Sequence, residues 1–194
     1  GVVRDVDTLQ AFARTAVEQA ALGDGIALIW AHRAAAAGDL EELERIDQRV
    51  YGRKLSAETR AMTVRVGKKF AEMGAGITAA PLLHTWLERV RQGATPGCYP
   101  VALAVNFAVQ DLPDREAFIV HQYGVGAMIL SAALRLMKVS HVETQRILYE
   151  LNTDAEAAYA LAARSGLADM AGFAPLVEIL AAVHVKAHLR LFMN

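Results

Sequence analysis

The chain has 194 residues, 54% of them hydrophobic, and a formal net charge of −1 from 20 basic and 21 acidic side chains. That length is sufficient for one domain with a sizeable core. The charge balance argues against nucleic acid as the main partner, because phosphate binding needs a basic surplus, and it permits association with other proteins. The single cysteine, Cys98, excludes an internal disulfide and a cysteine-based metal cluster, and is typical of a reducing cytoplasm.

The first third of the chain predicts three helices separated by short breaks. Asp7 is the expected N-cap of the first helix, and Gly23-Asp24-Gly25 predicts the break that follows it. Asp39 and Glu42 resemble a capping box at the start of the third helix. The many charges of that helix indicate a solvated face rather than an acidic docking patch. The predicted ranges are about 7–22, 26–37 and 40–51.

A fourth helix is predicted to begin after Ser56 and to end at a loop over 74–76. Apolar residues at spacings of four, four and three predict its core face: Met62, Val66, Phe70 and Met73. Arg60 and Gly67 lie on a different line of this helix. A glycine inside a helix costs about 1 kcal/mol against alanine, so either another backbone packs there or the cost is tolerated. If a backbone packs there, Arg60 could donate hydrogen bonds to its carbonyls.

The stretch 115–138 is predicted to be the central helix of the protein. The 18 residues between Glu116 and Arg135 carry no fixed charge, and apolar side chains fall on every side at helical spacing. Such a helix should be surrounded by other helices or by lipid. The run is slightly short of the roughly 20 apolar residues of a membrane span and contains His121 and Gln122, which favours a helix buried in a soluble protein. Its small residues should let neighbouring helices approach closely.

Helices are also predicted on both sides of this stretch. Ser140 and Glu143 form a capping box for one of them, and Pro175 opens the last. The predicted ranges are about 79–91, 101–110, 140–151, 155–164 and 175–189. No strand-like alternation or repeat is present. The sequence therefore predicts one all-α domain over residues 1–194, a bundle of about ten helices around a buried central helix.

No catalytic constellation is evident in the sequence. A phosphate-binding glycine loop ending in Gly-Lys-Ser/Thr is absent, so nucleotide binding by this chain alone is not expected. His184 and His188 have the spacing of metal ligands on a helix, but Val185 stands where a zinc protease has glutamate, and two ligands are too few. A metal-dependent hydrolase built on this pair is the alternative to a protein-binding module. The residues themselves favour the binding module.

Four motifs, in order along the chain, resemble the UreF family of urease accessory proteins. They are RKLSAETR at 53–60 followed by Gly67 and Lys68, the small-residue helix with Tyr123, SHVETQ at 140–145, and the terminus from His184 to RLFMN at 190–194. The chain departs from the family pattern at Val185, Asn194 and His141-Val142. A family segment rich in proline and glycine would precede Gly1, and we expect that it is missing from this sequence.

The resemblance implies a non-enzymatic, all-α, cytoplasmic chaperone for nickel insertion into apo-urease. Family members are often dimeric and bridge the accessory protein UreD (UreH in some species) and the GTPase UreG. Nickel and GTP are then expected on those partners, and no cofactor, nucleic acid or membrane is expected for this chain.

The resemblance also implies partner-binding roles for individual residues. Tyr123 would dock the GTPase, and Arg190 would help to order the binding surface when a partner binds. Further matches to family positions could be structural instead: Glu58, Arg60, Gly67, Gln145 and His184. For Arg60 the alternative is a salt bridge between helices, and for Tyr123 it is a core tyrosine whose hydroxyl reaches a polar group.

Overall fold

The computed structural model describes residues 3–171, which form α-helices joined by short turns, with no strand among them. The all-α prediction is confirmed. Nine α-helical segments lie within this range, close to the ten predicted, and the predicted helix beginning at Pro175 lies outside it. The segments are α1 (Val6–Ala20), α2 (Ile26–Ala36), α3 (Leu40–Arg53), α4 (Ala57–Ile77), α5 (Pro81–Arg91), α6 (Tyr99–Ala108), α7 (Asp114–Leu136), α8 (His141–Thr153) and α9 (Ala155–Ala162).

The first two helices form one continuous element. A π-helical turn, Ala21–Gly25, joins them where a break was predicted, so that prediction was wrong. Neither glycine of this turn has a positive φ, and Gly25 is needed for space, since a Cβ there would lie 2.6 Å from the Phe118 ring. The N-cap of α1 also differs from the prediction. It is Asp5, whose carboxylate accepts a hydrogen bond from the backbone N–H of Thr8.

The most enclosed helices are α2 and α6, which pack against each other at the centre of the main core. Eight of the ten residues of α6 are buried. The expected central helix, α7, is instead buried on one side only. It packs on α1, α2, α6, α8 and α9, and Gly126 lets Leu148 and Leu151 of α8 approach it closely. The prediction that α7 lacks a solvent face was therefore wrong.

Helix α4 is rotated relative to the predicted core stripe. Met62, Val66 and Met73 are exposed and Phe70 is only partly buried. The buried line consists of small residues, namely Thr63, Gly67, Ala71 and Gly74. Small side chains let α4 lie close to α6, where the Asn106 amide rests directly on Gly74. Since α4 continues to Ile77, the loop predicted at 74–76 is also absent.

A buried carboxylate fixes the connection between α5 and α6. Asp47 of α3 is fully buried and accepts hydrogen bonds from Thr95 Oγ1 at 2.6 Å, Gly97 N at 2.6 Å and Cys98 N at 2.8 Å. Burial raises the pKa of Asp47, and these three donors oppose that rise. The same connection lies against α4, because a Cβ on Gly67 would be 2.1 Å from the Gly97 carbonyl oxygen. Asp47 and Gly67 thus hold one loop from two sides.

Candidate partner-binding surface

Four large apolar side chains of α7 are exposed to solvent. Val120 is 44% exposed, Tyr123 49%, Met128 56% and Leu136 58%. We call these four residues the α7 outer face. The apolar sequence pattern that suggested complete enclosure thus includes exposed side chains as well as buried ones. Val120 and Tyr123 are three residues apart and therefore neighbours on the helix surface, and exposed apolar patches commonly mark sites of association.

Two polar residues in the middle of α7 lie on its inner side. His121 and Gln122 are buried, and His121 stacks on Tyr99 of α6 with the ring centroids 6.1 Å apart. Burial lowers the pKa of His121, so the neutral imidazole is favoured; Gln122 Nε2 lies 3.2 Å from its Nδ1. Arg115, Glu116 and Arg135, near the two ends of α7, are exposed, so the buried polar pair is confined to the middle of the helix.

One helix of the described region, α7, is long and apolar enough to cross a membrane, and 39% of its most apolar window is buried in the protein. Length and composition alone are weak evidence, because core helices of soluble proteins pass the same test. The inner side of α7 packs on five other helices of this chain. That packing is typical of a helix in a globular core and favours the predicted soluble protein.

Tyr123 lies on the outer face of α7. The alternative of a core tyrosine is wrong, because about half of its surface is exposed. Among residues 3–171 its hydroxyl has no hydrogen-bond partner. An exposed tyrosine offers a rigid ring and a polar tip, which is a combination enriched at protein interfaces. Its role in docking the GTPase stays a prediction.

Arg60 has a structural role at the end of α3. Its Nη1 donates hydrogen bonds to the carbonyls of Lys54 and Leu55, and its guanidinium lies 5.9 Å from the centroid of the Tyr51 ring. A cation at the last carbonyls of a helix also suits the helix dipole. The predicted salt bridge between helices is not the contact that Arg60 makes.

The other predicted positions divide between the interior, the surface and the residues outside the described range. Gly67 is buried under the connection between α5 and α6, as the close-packing interpretation of this glycine expected. Glu58 is partly buried in the first turn of α4, while Gln145 is exposed on α8 beside Val142 and Tyr149. His184 and Arg190 lie outside the described residues. The structure thus places Tyr123 and Gln145 on the surface and Gly67 inside.

Sequence reasoning missed two features that the structure shows. Asp47 looked like an ordinary acid in a charged helix, and no local sequence pattern predicted its hydrogen bonds to residues far away in the chain. Val120 and Met128 were assigned to a buried helix and are instead exposed. The lack of any polar stripe on α7 was the available signal, and it has two interpretations, enclosure or an apolar surface.

No group of three or more His, Cys, Asp or Glu side chains in residues 3–171 is placed to hold a metal ion. Cys98 is buried, and burial together with the neighbouring Asp47 charge raises the pKa of its thiol, which disfavours a reactive thiolate. The metal-dependent alternative rests on His184 and His188, which are outside the described range.

Comparison with known proteins identifies relatives over the whole chain. The UreF family model matches residues 3–152. Urease accessory protein UreF 2 of Brucella canis is 52% identical over 193 residues, covering 100% of this chain and 79% of the relative. Urease accessory protein UreF of Yersinia enterocolitica is 50% identical over 194 residues, covering 100% of this chain and 85% of the relative. The chain belongs to the UreF family of urease accessory proteins.

Proposed function

We propose that this chain is a non-catalytic chaperone in urease maturation. It bridges a UreD/UreH-type accessory protein and a UreG-type GTPase, and so connects both to apo-urease in the cytoplasm. Nickel is the cargo of the assembly, and the GTPase holds the nucleotide. Membership in a family of urease accessory proteins supports the general role.

The observation that carries the proposal is the α7 outer face. Exposed apolar area costs about 25 cal/mol per Å² relative to a covered surface, so exposed large apolar side chains on a long helix favour association. Tyr123 belongs to this face and lies about one helical turn from Val120. Tyrosine is among the residues that most often dominate binding energy at interfaces.

The chain's chemistry supports a bridging role over a catalytic one. The sequence contains no phosphate-binding glycine loop, and its one cysteine is buried. A partner must therefore supply the nucleotide site. A bridging subunit needs surfaces for two partners, and the exposed side of α8 around Gln145 is a second candidate besides α7.

The proposal is tested by co-purification with the candidate partners. The full-length protein is co-expressed with a UreD/UreH-type protein and with the GTPase, each alone and both together, and the complexes are separated by size-exclusion chromatography. We expect a complex of all three proteins. Failure of the folded full-length protein to bind either partner would overturn the proposal. GTP hydrolysis measured with and without the chain then gives the direction of its effect.

We also propose that the chain forms a homodimer, as the resemblance implies. A near-neutral protein with an apolar helix face has little electrostatic repulsion to oppose self-association. Light scattering on the purified full-length protein should give twice the monomer mass at micromolar concentration. A monomer mass across that range would contradict this part of the proposal.

A further inference from the structure

A basic groove lies on a different part of the molecule from the α7 outer face. It runs between the second half of α3 and the first half of α4, with the connection between α5 and α6 as its floor. Its volume is about 610 Å³, within the range of known ligand sites. Residues that line it include Tyr51, Arg60, Val64, Lys68, Val90 and Pro96.

The charge of this groove is uncompensated within residues 3–171. Arg60 and Lys68 are its charged lining residues, and no acidic side chain lines it. Arg60 donates to two backbone carbonyls and contacts no carboxylate. Lys68 forms no ion pair within the described region, and its aliphatic stem lies over Gly97. The groove thus carries two positive charges without a counterion.

The buried acid Asp47 forms no ion pair with Arg60 or Lys68. Asp47 lies beneath the floor of the groove, and its carboxylate accepts from Thr95, Gly97 and Cys98. Ala57 in the first turn of α4 lines the groove, and so do Tyr51 and Val90 near the C-terminal ends of α3 and α5, so the helix dipoles there oppose one another. The two fixed charges therefore favour an anionic occupant.

The apolar part of the lining narrows the choice of occupant. Val64 and Pro96, which are partly exposed, would remain wet under a small inorganic anion. Two cations on a chain of net charge −1 are too few for a nucleic-acid backbone. A peptide segment that carries both carboxylates and apolar side chains complements the whole groove. We propose that this groove docks an acidic, partly apolar peptide segment of a partner protein.

The test uses the full chain and a defined probe. The probe is a short fluorescent peptide in which Glu alternates with Leu and Gly, and its twin has Gln in place of Glu. Fluorescence polarisation measures binding of each peptide at low and high salt. We expect the Glu peptide to bind roughly tenfold or more tightly than the Gln twin, and salt to weaken that binding.

Matched charge reversals locate the site. Lys68→Glu should weaken binding of the Glu peptide roughly tenfold or more. Lys69→Glu is the control, because Lys69 lies one residue further along α4, pairs with Glu72 and does not line the groove. Methyl NMR shifts on peptide addition should appear at Val64 and Val90 and not at Val142 of α8. Thermal unfolding of each variant confirms that it is folded.

Three results would overturn the inference. The first is no binding of the Glu peptide, or equal binding of its Gln twin. The second is equal weakening by Lys68→Glu and Lys69→Glu, which indicates a general charge effect. The third is full displacement of the peptide by an equal concentration of inorganic phosphate, which indicates a small-anion site only. None of these experiments involves Tyr123, so their failure leaves the α7 outer face untouched.

Discussion

Gly67 shows how one hydrogen atom in place of a methyl group permits a close contact between a helix and a loop. A Cβ at this position would lie 2.1 Å from Gly97 O and 2.6 Å from the carbonyl carbon of Cys98, and both atoms belong to the backbone. Backbone cannot rotate away as a side chain can. The connection between α5 and α6 must therefore shift if Gly67 gains a side chain, and the hydrogen bonds to Asp47 shift with it.

Gly67→Ala should lower the free energy of unfolding by roughly 1–3 kcal/mol or more, because overpacking against fixed atoms strains the structure. Gly76→Ala on the same helix is the matched control. Nothing lies within 4 Å of a Cβ at Gly76, so alanine there should be neutral or stabilising by about 0.5–1 kcal/mol. Urea unfolding of both variants checks this. Equal effects would show that Gly67 is not under close contact.

His121 should make stability depend on pH. Its pKa is lowered in the folded protein, chiefly by burial, while Asp24 raises it and Lys54 lowers it further. In the unfolded chain it should titrate near 6.5. Between the two pKa values the unfolded chain binds more protons, so stability is fully present above 6.5 and is lost as pH falls towards the folded pKa.

His121→Gln should remove this component. The free energy of unfolding of the wild-type protein should fall more steeply than that of the variant between pH 7 and pH 5, and the two should run parallel above pH 7. Urea unfolding at a series of pH values measures both slopes. Parallel curves throughout that range would mean that His121 titrates normally in the folded protein.

For individual residues, hydrogen bonds within one helical turn were predictable from sequence, and contacts between distant parts of the chain were not. The capping box of Ser140 and Glu143 is present as predicted, because all its atoms lie within one turn. The close approach at Gly67 was one of two interpretations of a costly glycine. Asp47 reaches Thr95 and Cys98 from far away in sequence, and no spacing rule links them.

Hydrophobic periodicity correctly located helix α4 but assigned the wrong side of the helix to the core. The stripe of large apolar residues is exposed, and the small residues on another line are buried. Hydrophobicity ranks methionine and valine above glycine and threonine as core residues, whereas close packing against α6 requires small ones. Steric fit decided the rotation of α4, and a hydrophobic pattern does not encode it.

The rotation of α4 predicts different effects on stability for substitutions at two of its residues. Met73→Gln should change the free energy of unfolding by no more than about 0.5 kcal/mol, because Met73 is mostly exposed. Ala71→Leu should cost roughly 1–3 kcal/mol, because Ala71 is fully buried against packed helices. Urea unfolding compares them. A large loss for Met73→Gln with none for Ala71→Leu would restore the stripe predicted from sequence.

The helical structure of α7 was also predictable from sequence, but the exposure of its apolar side chains was not. Its start and end differ from the predicted bounds by one or two residues. An apolar pattern on every side fits enclosure and fits a docking face equally well. Only the positions of the neighbouring helices, which leave Val120 and Tyr123 uncovered, separate the two.

For the whole molecule, the all-α class and the family were predictable because they depend on composition and on the order of motifs. Alanine-rich, proline-poor sequence favours helices everywhere, and the four motifs kept their order along the chain. The packing order of the helices was not predictable. The centre consists of α2 and α6, two short apolar helices, rather than the longer α7.

The central claim is that this chain acts through the α7 outer face, and Tyr123→Asp tests it most directly. A charge within that face should exclude an apolar partner surface without entering the core. Leu161→Asp on α9 is the control, because its side chain has a similar exposed fraction, 52% against 49% for Tyr123. The measurement is retention of the GTPase in the complex by co-purification, with circular dichroism confirming that both variants are folded.

We expect Tyr123→Asp to abolish GTPase recruitment and Leu161→Asp to leave it intact. Normal recruitment by folded Tyr123→Asp would contradict the account.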